Sequence, residues 1–154
     1  NIVIGLFDRD KEGIKSFALD GNFQSGDLFK DYKSSSNGRA YAMLLPVPSG
    51  REEYASANNL PIEFMFDDEA LSTKVDGQGL ETEPMKLEHK IGSKVILAPT
   101  SDVEWARFVV PRSKKHFAQK VVPTLPKEAF TAFKELFSQI EEILSKVSAS
   151  TTTT

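Results

Sequence analysis

The residues best suited to chemistry are two aspartates near the start of the chain. Asp8 and Asp10 directly follow the apolar run 2–7. Alternate side chains of an extended segment point the same way, roughly 6–7 Å apart, and two carboxylates at that distance repel by about 3 kcal/mol at an effective dielectric of 20. A bound Mg²⁺, a raised pKa or a neighbouring cation would offset this repulsion. The alternative is a solvated turn whose aspartates cap the next helix.

The elements around the two aspartates predict a β-α-β unit. The run 2–7 is apolar and rich in β-branched residues, as in a strand that is covered on both faces. Ile14, Phe17 and Ala18 follow at helical spacing, and 40–45 form a second strand candidate. Such a unit crosses over into a parallel sheet, which places its ligands at the carboxyl ends of its strands. Asp8 and Asp10 lie at that position.

The composition excludes several classes of protein. The 154 residues support one domain, and the absence of cysteine excludes disulfide frameworks and thiolate nucleophiles. It also fits a reducing compartment, so we expect a cytoplasmic protein. No apolar run is long enough to span a membrane, so no membrane partner is expected. His89 and His116 lie far apart without cysteine companions, which makes a zinc site improbable.

The segment IVIGLFDRDKEG resembles the second conserved motif of TOPRIM domains, an apolar strand running into Asp-x-Asp-x-x-Gly. The version with Phe before the first Asp is similar to nucleases of the OLD (overcoming lysogenization defect) kind. The resemblance matches Asp8, Asp10 and Gly13. It implies an α/β fold with a partial parallel sheet of TOPRIM type, to which the patterns of the later residues add an α+β extension and a C-terminal amphipathic helix. It also implies an Mg²⁺ site, with Mn²⁺ as an alternative, and cleavage of DNA, with RNA as the alternative substrate.

Two later segments resemble other parts of the same family. LPIEFMFDDEAL is similar to the stretch that carries further acidic metal ligands, which nominates Glu63 and, after it, Asp67 or Asp68. The alternative for Glu63 is a surface residue of an edge strand. SKKHFAQKV is similar to a segment that supplies a catalytic lysine, which by register is Lys114, with Lys115 as the alternative.

The family's first motif, a strand that ends in Glu-Gly, is expected before residue 1. The resemblance therefore implies that this chain is the carboxyl-terminal half of a TOPRIM domain and is inactive alone. Its partners would be an upstream part of the same protein that carries the glutamate, and an ATPase domain. A role in defence against phage is a further implication.

The chain divides into four predicted parts: 1–50 as the second half of the TOPRIM core, 51–100 as an acidic extension, 101–147 as a basic segment with the C-terminal helix, and 148–154 as a disordered tail. Within the extension, alternation over 62–66 predicts a strand, and 67–69 begin a brief helix. Residues 72–94 are expected to be a loop, and 94–97 a short strand.

Cations are concentrated between Glu104 and Glu128, where the chain has no acidic residue. We interpret this basic strip as a phosphate-binding surface for nucleic acid, although a solvated face is the alternative. For the interleaved Trp105, Phe108 and Phe117, a role in the core is favoured over stacking on bases. The nucleic-acid-binding candidates of the strip are Arg107, Arg112, Lys115 and Lys120.

An amphipathic helix is predicted over about 126–147. Apolar residues recur there every three or four positions, with Leu136 and Ile143 widening the stripe. A stripe of this kind is usually core, and its alternative use is a contact with a second copy of the chain or with a partner domain. The stripe itself comprises Phe130, Phe133, Phe137, Ile140, Leu144 and Val147.

Two other functions compete with the nuclease. A phosphatase of the haloacid dehalogenase kind also places Asp-x-Asp after an apolar strand, but its motif continues with Thr or Val where this chain has Glu12. A non-catalytic interaction domain would use the aspartates as a helix cap and the basic strip for docking.

Overall fold

A computed structural model describes residues 2–19, 23–25, 32–84, 86–91, 94–99 and 107–151. Trp105, part of the basic strip, lies outside the described residues. The ten described strands are β1 Val3–Phe7, β2 Arg9–Asp10, β3 Phe23–Ser25, β4 Tyr32–Ser35, β5 Ala40–Leu44, β6 Asn59–Leu60, β7 Thr82–Pro84, β8 Lys86–Ile91, β9 Lys94–Pro99 and β10 Arg107–Val109. The described α-helices are α1 Lys11–Leu19, α2 Glu52–Ser56, α3 Asp68–Ser72, α4 Pro111–His116 and α5 Phe133–Thr151.

The main sheet is mixed and has the order β1-β5-β4-β3. β1 and β5 are parallel, with Val3 opposite Ala40 and Phe7 opposite Leu44, as the predicted β-α-β unit requires. The connection between them also contains β3 and β4. β4 pairs in antiparallel fashion with β5 on one side and with β3 on the other. The expectation of a parallel sheet is therefore correct only for β1 and β5. The fold is mixed α/β with a C-terminal helix.

Helices cover both faces of this sheet. On one face, the ring of Phe7 contacts Phe17 of α1 edge-on, with the centroids 6.2 Å apart. On the other face, Leu136 and Ile143 of α5 pack against a buried cluster that includes Met43. Successive side chains of a strand point to opposite faces, which explains why the continuous apolar run of β1 meets two helices. Val3 and Leu6 stay exposed because β1 is the terminal strand of this sheet.

The strand predicted over 62–66 is wrong. Residues Ile62–Met65 form a 3₁₀ turn, which rotates each successive side chain by about 120°. Phe64, Met65 and Phe66 consequently enter three different hydrophobic clusters, whereas a strand would direct them to only two faces. The side chain of Glu63, in the same turn, is 12% exposed.

Other predicted elements can be compared directly with the structure. The brief helix after 67 is confirmed as α3, which Asp67 caps by accepting a hydrogen bond from the backbone N–H of Ala70 at 2.8 Å. The strand at 94–97 is confirmed as part of β9. The expected loop over 72–94 contains β7 and β8 instead.

The C-terminal helix is confirmed, but its limits and its buried face differ from the prediction. A separate 3₁₀ turn spans Lys127–Phe130, and α5 continues to Thr151, into the segment expected to be a tail. Leu136 and Ile143 are the most buried residues of α5, whereas Phe137 and Leu144 are 59% and 41% exposed. None of the described helices is both long and apolar enough to cross a membrane.

Candidate active site

Asp8 lies where β1 ends, at the carboxyl edge of the sheet. Its Oδ1 accepts a hydrogen bond from the backbone N–H of Ile62 at 3.0 Å, which brings the 3₁₀ turn of Glu63 to the end of β1. The antiparallel pairing of β2 with β6 supports this approach, because Arg9 lies opposite Leu60, two residues before Ile62. Asp8 is half-buried.

Asp10 has a structural task of its own. Its Oδ1 accepts a hydrogen bond from the backbone N–H of Gly13 at 2.7 Å, the geometry of a helix N-cap. The aspartate-cap alternative is therefore realised at Asp10. A carboxylate has a second oxygen with further acceptor sites, so capping leaves Asp10 able to bind a cation as well.

Gly13 is required by the close approach of α1 to the end of β1. A β-carbon at this position would overlap the carbonyl oxygen of Asp8 and lie 3.0 Å from its carbonyl carbon. It would also lie 3.1 Å from Oδ1 of Asp10. The glycine of the Asp-x-Asp-x-x-Gly pattern thus lets the helix begin directly against the segment that holds both aspartates.

Glu63 and Lys114 meet beside Asp8, although 51 positions separate them in the chain. Nζ of Lys114 donates to Oε2 of Glu63 at 3.1 Å, and the two side chains are 37% and 12% exposed. Glu63 is therefore a largely buried carboxylate of a 3₁₀ turn, and not a surface residue of an edge strand.

The electrostatics of Asp8 link all four side chains. Burial raises the pKa of the Asp8 carboxyl, and the negative charges of Asp10 and Glu63 raise it further. The ammonium of Lys114 and the hydrogen bond from Ile62 act in the opposite direction. The repulsion expected between the two aspartates from their spacing is thus present, and together with burial it raises the pKa of Asp8 in spite of Lys114 and the hydrogen bond.

The donor set suits a hard cation. Asp8, Asp10 and Glu63 offer only oxygen atoms, and Mg²⁺ is commonly held by one or two carboxylates plus waters. Within the described part of the chain, no three carboxylate or imidazole side chains are close enough together to hold a metal ion. Asp8 and Asp10 follow the end of β1 together, and Glu63, the third predicted metal ligand, is paired with Lys114.

The other acidic candidates have different partners. Asp67 caps α3, and Oδ1 of Asp68 forms an ion pair with Nη2 of Arg51 at 2.6 Å. Arg51 is buried and also donates to the carbonyl oxygen of Phe66. A cavity of about 350 Å³ adjoins this region, and its acidic lining disfavours phosphate. Its charged lining residues are Arg51, Asp67, Glu128 and Glu135.

The predicted nucleic-acid-binding cations are not equivalent. Lys115 and Lys120 are exposed. Arg112 is also exposed, and its Nη2 pairs with Oε2 of Glu81 at 2.8 Å. Arg107 is half-buried and donates to the side-chain and backbone oxygens of Thr82 at 2.8 and 2.6 Å.

The core role of the aromatic residues in the basic strip is confirmed at Phe117, which is 1% exposed and packs edge-on against Phe66. Phe108 is half-buried. His116 also has a contact, since its Nε2 lies 3.2 Å from the carbonyl oxygen of Val75.

Two positioning residues escaped the sequence reasoning. Arg9, between the aspartates, donates from Nε to the carbonyl oxygen of Leu45 and so ties their segment to the end of β5. Buried Asn59 donates from Nδ2 to the carbonyl oxygen of Arg107, which joins β6 to the segment leading to Lys114. The position of the positively charged Arg9 between two aspartates could have indicated its role from the sequence. Nothing in the sequence indicates the role of Asn59.

No family model matches the chain, and neither the curated proteins nor the solved structures contain a match to it.

Proposed function

We propose that this chain is part of a metal-dependent endonuclease of the OLD-like TOPRIM kind, which hydrolyses phosphodiester bonds of DNA. The observation that carries the proposal is the convergence of Asp8, Asp10, Glu63 and Lys114. These four residues come from three distant parts of the sequence, and the resemblance nominated each of them separately. Their proximity supports one common site.

In this proposal Asp8 and Asp10 hold Mg²⁺, or Mn²⁺ as the alternative. The ion would activate a water molecule and neutralise charge on the scissile phosphate. Asp8 is suited to this task because burial and neighbouring carboxylates disfavour its ionised form, and a bound cation relieves that cost. Lys114 would stabilise negative charge that develops on the phosphoryl group.

Binding of the nucleic acid would depend on the exposed cations near the site. Lys115 lies directly beside Lys114 in α4, and Arg112 belongs to the same helix. Lys120 follows on the next helical turn. Phosphate contacts of this kind position the substrate without reading its sequence. The upstream glutamate, the ATPase domain and the role in phage defence belong to the same proposal.

Cleavage of plasmid DNA by the full-length protein in Mg²⁺ tests the mechanism. We expect Asp8→Asn to lower the rate by more than about 100-fold, because even outer-shell partners of a metal account for roughly 10- to 100-fold. Glu142→Gln, which neutralises an exposed carboxylate on α5, is the matched control and should cleave normally. Unchanged cleavage by Asp8→Asn would remove the mechanism.

A non-catalytic interaction domain is the second candidate, and the cap that Asp10 provides to α1 favours it. Calorimetric titration of the full-length protein with Mg²⁺ and Mn²⁺ separates the two functions. The nuclease requires binding that Asp8→Asn abolishes. Absence of binding in the unaltered protein would favour the interaction domain.

A further inference from the structure

Lys120 is exposed at a position where a continuous α-helix would bury it. It lies seven residues after Ser113, which is buried. Each residue of an α-helix advances by about 100°, so seven residues make almost two full turns. An α-helix that continued from α4 without interruption would therefore place Lys120 above Ser113, on the side that faces the core.

A π turn directly after α4 changes this register. The turn comprises Phe117–Val121, and the backbone N–H of Val122 donates to the carbonyl oxygen of Phe117, five residues earlier. A turn of this kind contains one residue more than an α-helical turn. As a result Val121, and not Lys120, enters the hydrophobic cluster around Phe117.

Pro123 explains why the helix widens here. Proline has no backbone N–H, so it cannot donate to the carbonyl oxygen of Gln119, four residues earlier, and its ring would clash with that oxygen in an α-helix. Helices kink or form π turns at such interruptions. Single π turns within α-helices are frequent at functional sites, which directs attention to the side chains that this one reorients.

The π turn aligns Lys120 with Lys115, and we call these two residues the lysine pair. In an α-helix, residues five positions apart point about 140° away from each other. With the additional residue of the π turn, five positions come close to one full turn. Both lysines are exposed, and neither forms an ion pair with a residue that the structure describes. Their α-carbons lie roughly 7 Å apart along the helix axis.

The other cations of the basic strip already have partners. Lys114 forms an ion pair with Glu63, and Arg112 forms one with Glu81. Arg107 is half-buried and donates to oxygen atoms of β7. Among the lysines and arginines described in this strip, the lysine pair therefore offers the positive charge that an external anion meets without competition.

We propose that the lysine pair holds the phosphate backbone of one nucleic-acid strand beside the candidate active site. A separation of roughly 7 Å corresponds to two steps along a DNA strand, each about 3.4 Å. Lys114, directly before Lys115, faces Glu63, which sets the pair next to the site. The inference rests on the proposed function, since it requires a nucleic acid, and it specifies which cations bind and which part of the substrate they contact.

Salt-dependent binding of DNA tests the lysine pair. Fluorescence anisotropy measures binding of labelled DNA duplexes by the full-length protein between about 50 and 200 mM salt, without divalent metal. Each phosphate contact contributes about 0.9 to the slope of the logarithm of the association constant against the logarithm of the salt concentration. We expect Lys115→Gln and Lys120→Gln each to reduce this slope by about 0.9, and the affinity at 0.1 M salt by about five- to tenfold.

A control for charge and a control for sequence accompany these variants. Lys134→Gln removes an exposed lysine from α5 and should leave the slope unchanged and the affinity within about twofold. The losses caused by Lys115→Gln and Lys120→Gln should be the same on two duplexes of unrelated sequence, because phosphate contacts carry no sequence information. Circular dichroism confirms that all three variants fold.

The outcomes separate this inference from the proposed function. Unchanged slopes in both variants, with DNA binding and cleavage by the unaltered protein, would overturn the lysine pair and leave the nuclease standing. An effect of Lys115→Gln alone would overturn the alignment. An equal loss in Lys134→Gln, or a loss on only one of the two duplexes, would overturn the phosphate contact. Absence of DNA binding by the unaltered protein would overturn both proposals.

Discussion

Substitution of Gly13 by alanine tests the packing on which the site depends. Within a helix this change normally stabilises a protein, by about 1 kcal/mol, because alanine has the higher helix propensity. Gly13 is the third residue of α1, so propensity alone predicts a gain. The structure predicts the opposite sign, because the new methyl group would overlap the carbonyl oxygen of Asp8.

The expected loss of stability follows from the displacement of α1 that the new methyl group requires. Relief of the overlap separates α1 from the end of β1, which strains close packing at a typical cost of about 1–3 kcal/mol. It also stretches the 2.7 Å bond from Gly13 to Asp10, and loss of such a cap costs about 1 kcal/mol. After the gain in propensity, we expect Gly13→Ala to lower the free energy of unfolding by about 2 kcal/mol.

Urea denaturation monitored by circular dichroism measures this difference. Ser16→Ala, at an exposed position of α1, is the matched control and should change the free energy of unfolding by less than about 0.5 kcal/mol. A Gly13→Ala protein as stable as the unaltered one, or more stable, would refute the close approach of α1 to Asp8.

Two other predictions concern the charge of Asp8 and the buried face of α5. The pKa of Asp8 is raised in the folded state, so its stabilising contribution is complete below the unfolded pKa of about 4 and is lost as the pH rises through the folded pKa. In urea denaturation without metal, the free energy of unfolding of Asp8→Asn should therefore exceed that of the unaltered protein by more at pH 7 than at pH 3.5. A difference that does not change with pH would contradict this. Ile143→Ala should cost about 2–5 kcal/mol and Leu144→Ala less than about 1 kcal/mol by thermal denaturation, because Ile143 is 1% exposed and Leu144 41%; equal costs would count against the assigned face.

Local patterns predicted the beginning of the site well. The apolar run before Asp8 is long and uninterrupted, so its strand and the position of Asp8 at the end of that strand could be inferred from the residues alone. The parallel partner β5 followed from a second run of the same kind. The strands β3 and β4 between them were not predicted, because β4, Tyr32–Ser35, has too few apolar residues to indicate a strand.

Tertiary packing decided the parts that were predicted wrongly. The alternation over 62–66 resembled that of a strand because the segment is only five residues long. Over so few positions, the two-residue period of a strand and the three-residue period of a 3₁₀ turn place apolar residues similarly. On α5, Phe137 and Leu136 are neighbours of similar hydrophobicity, and only the position of the sheet determines which of them is buried. The ion pair between Glu63 and Lys114 depends on a long-range approach that no local pattern contains.

The distance along the chain between the site residues has a consequence for folding. Asp8, Glu63 and Lys114 meet only after two loops of about fifty residues each have closed. Each closure lowers the conformational entropy of the chain before any new contact offsets that cost. The parallel pairing of β1 with β5 is itself non-local and slow to form. The site therefore assembles late, after helices such as α5, and a nascent chain cannot form the ion pair between Glu63 and Lys114 until α4 has been synthesised.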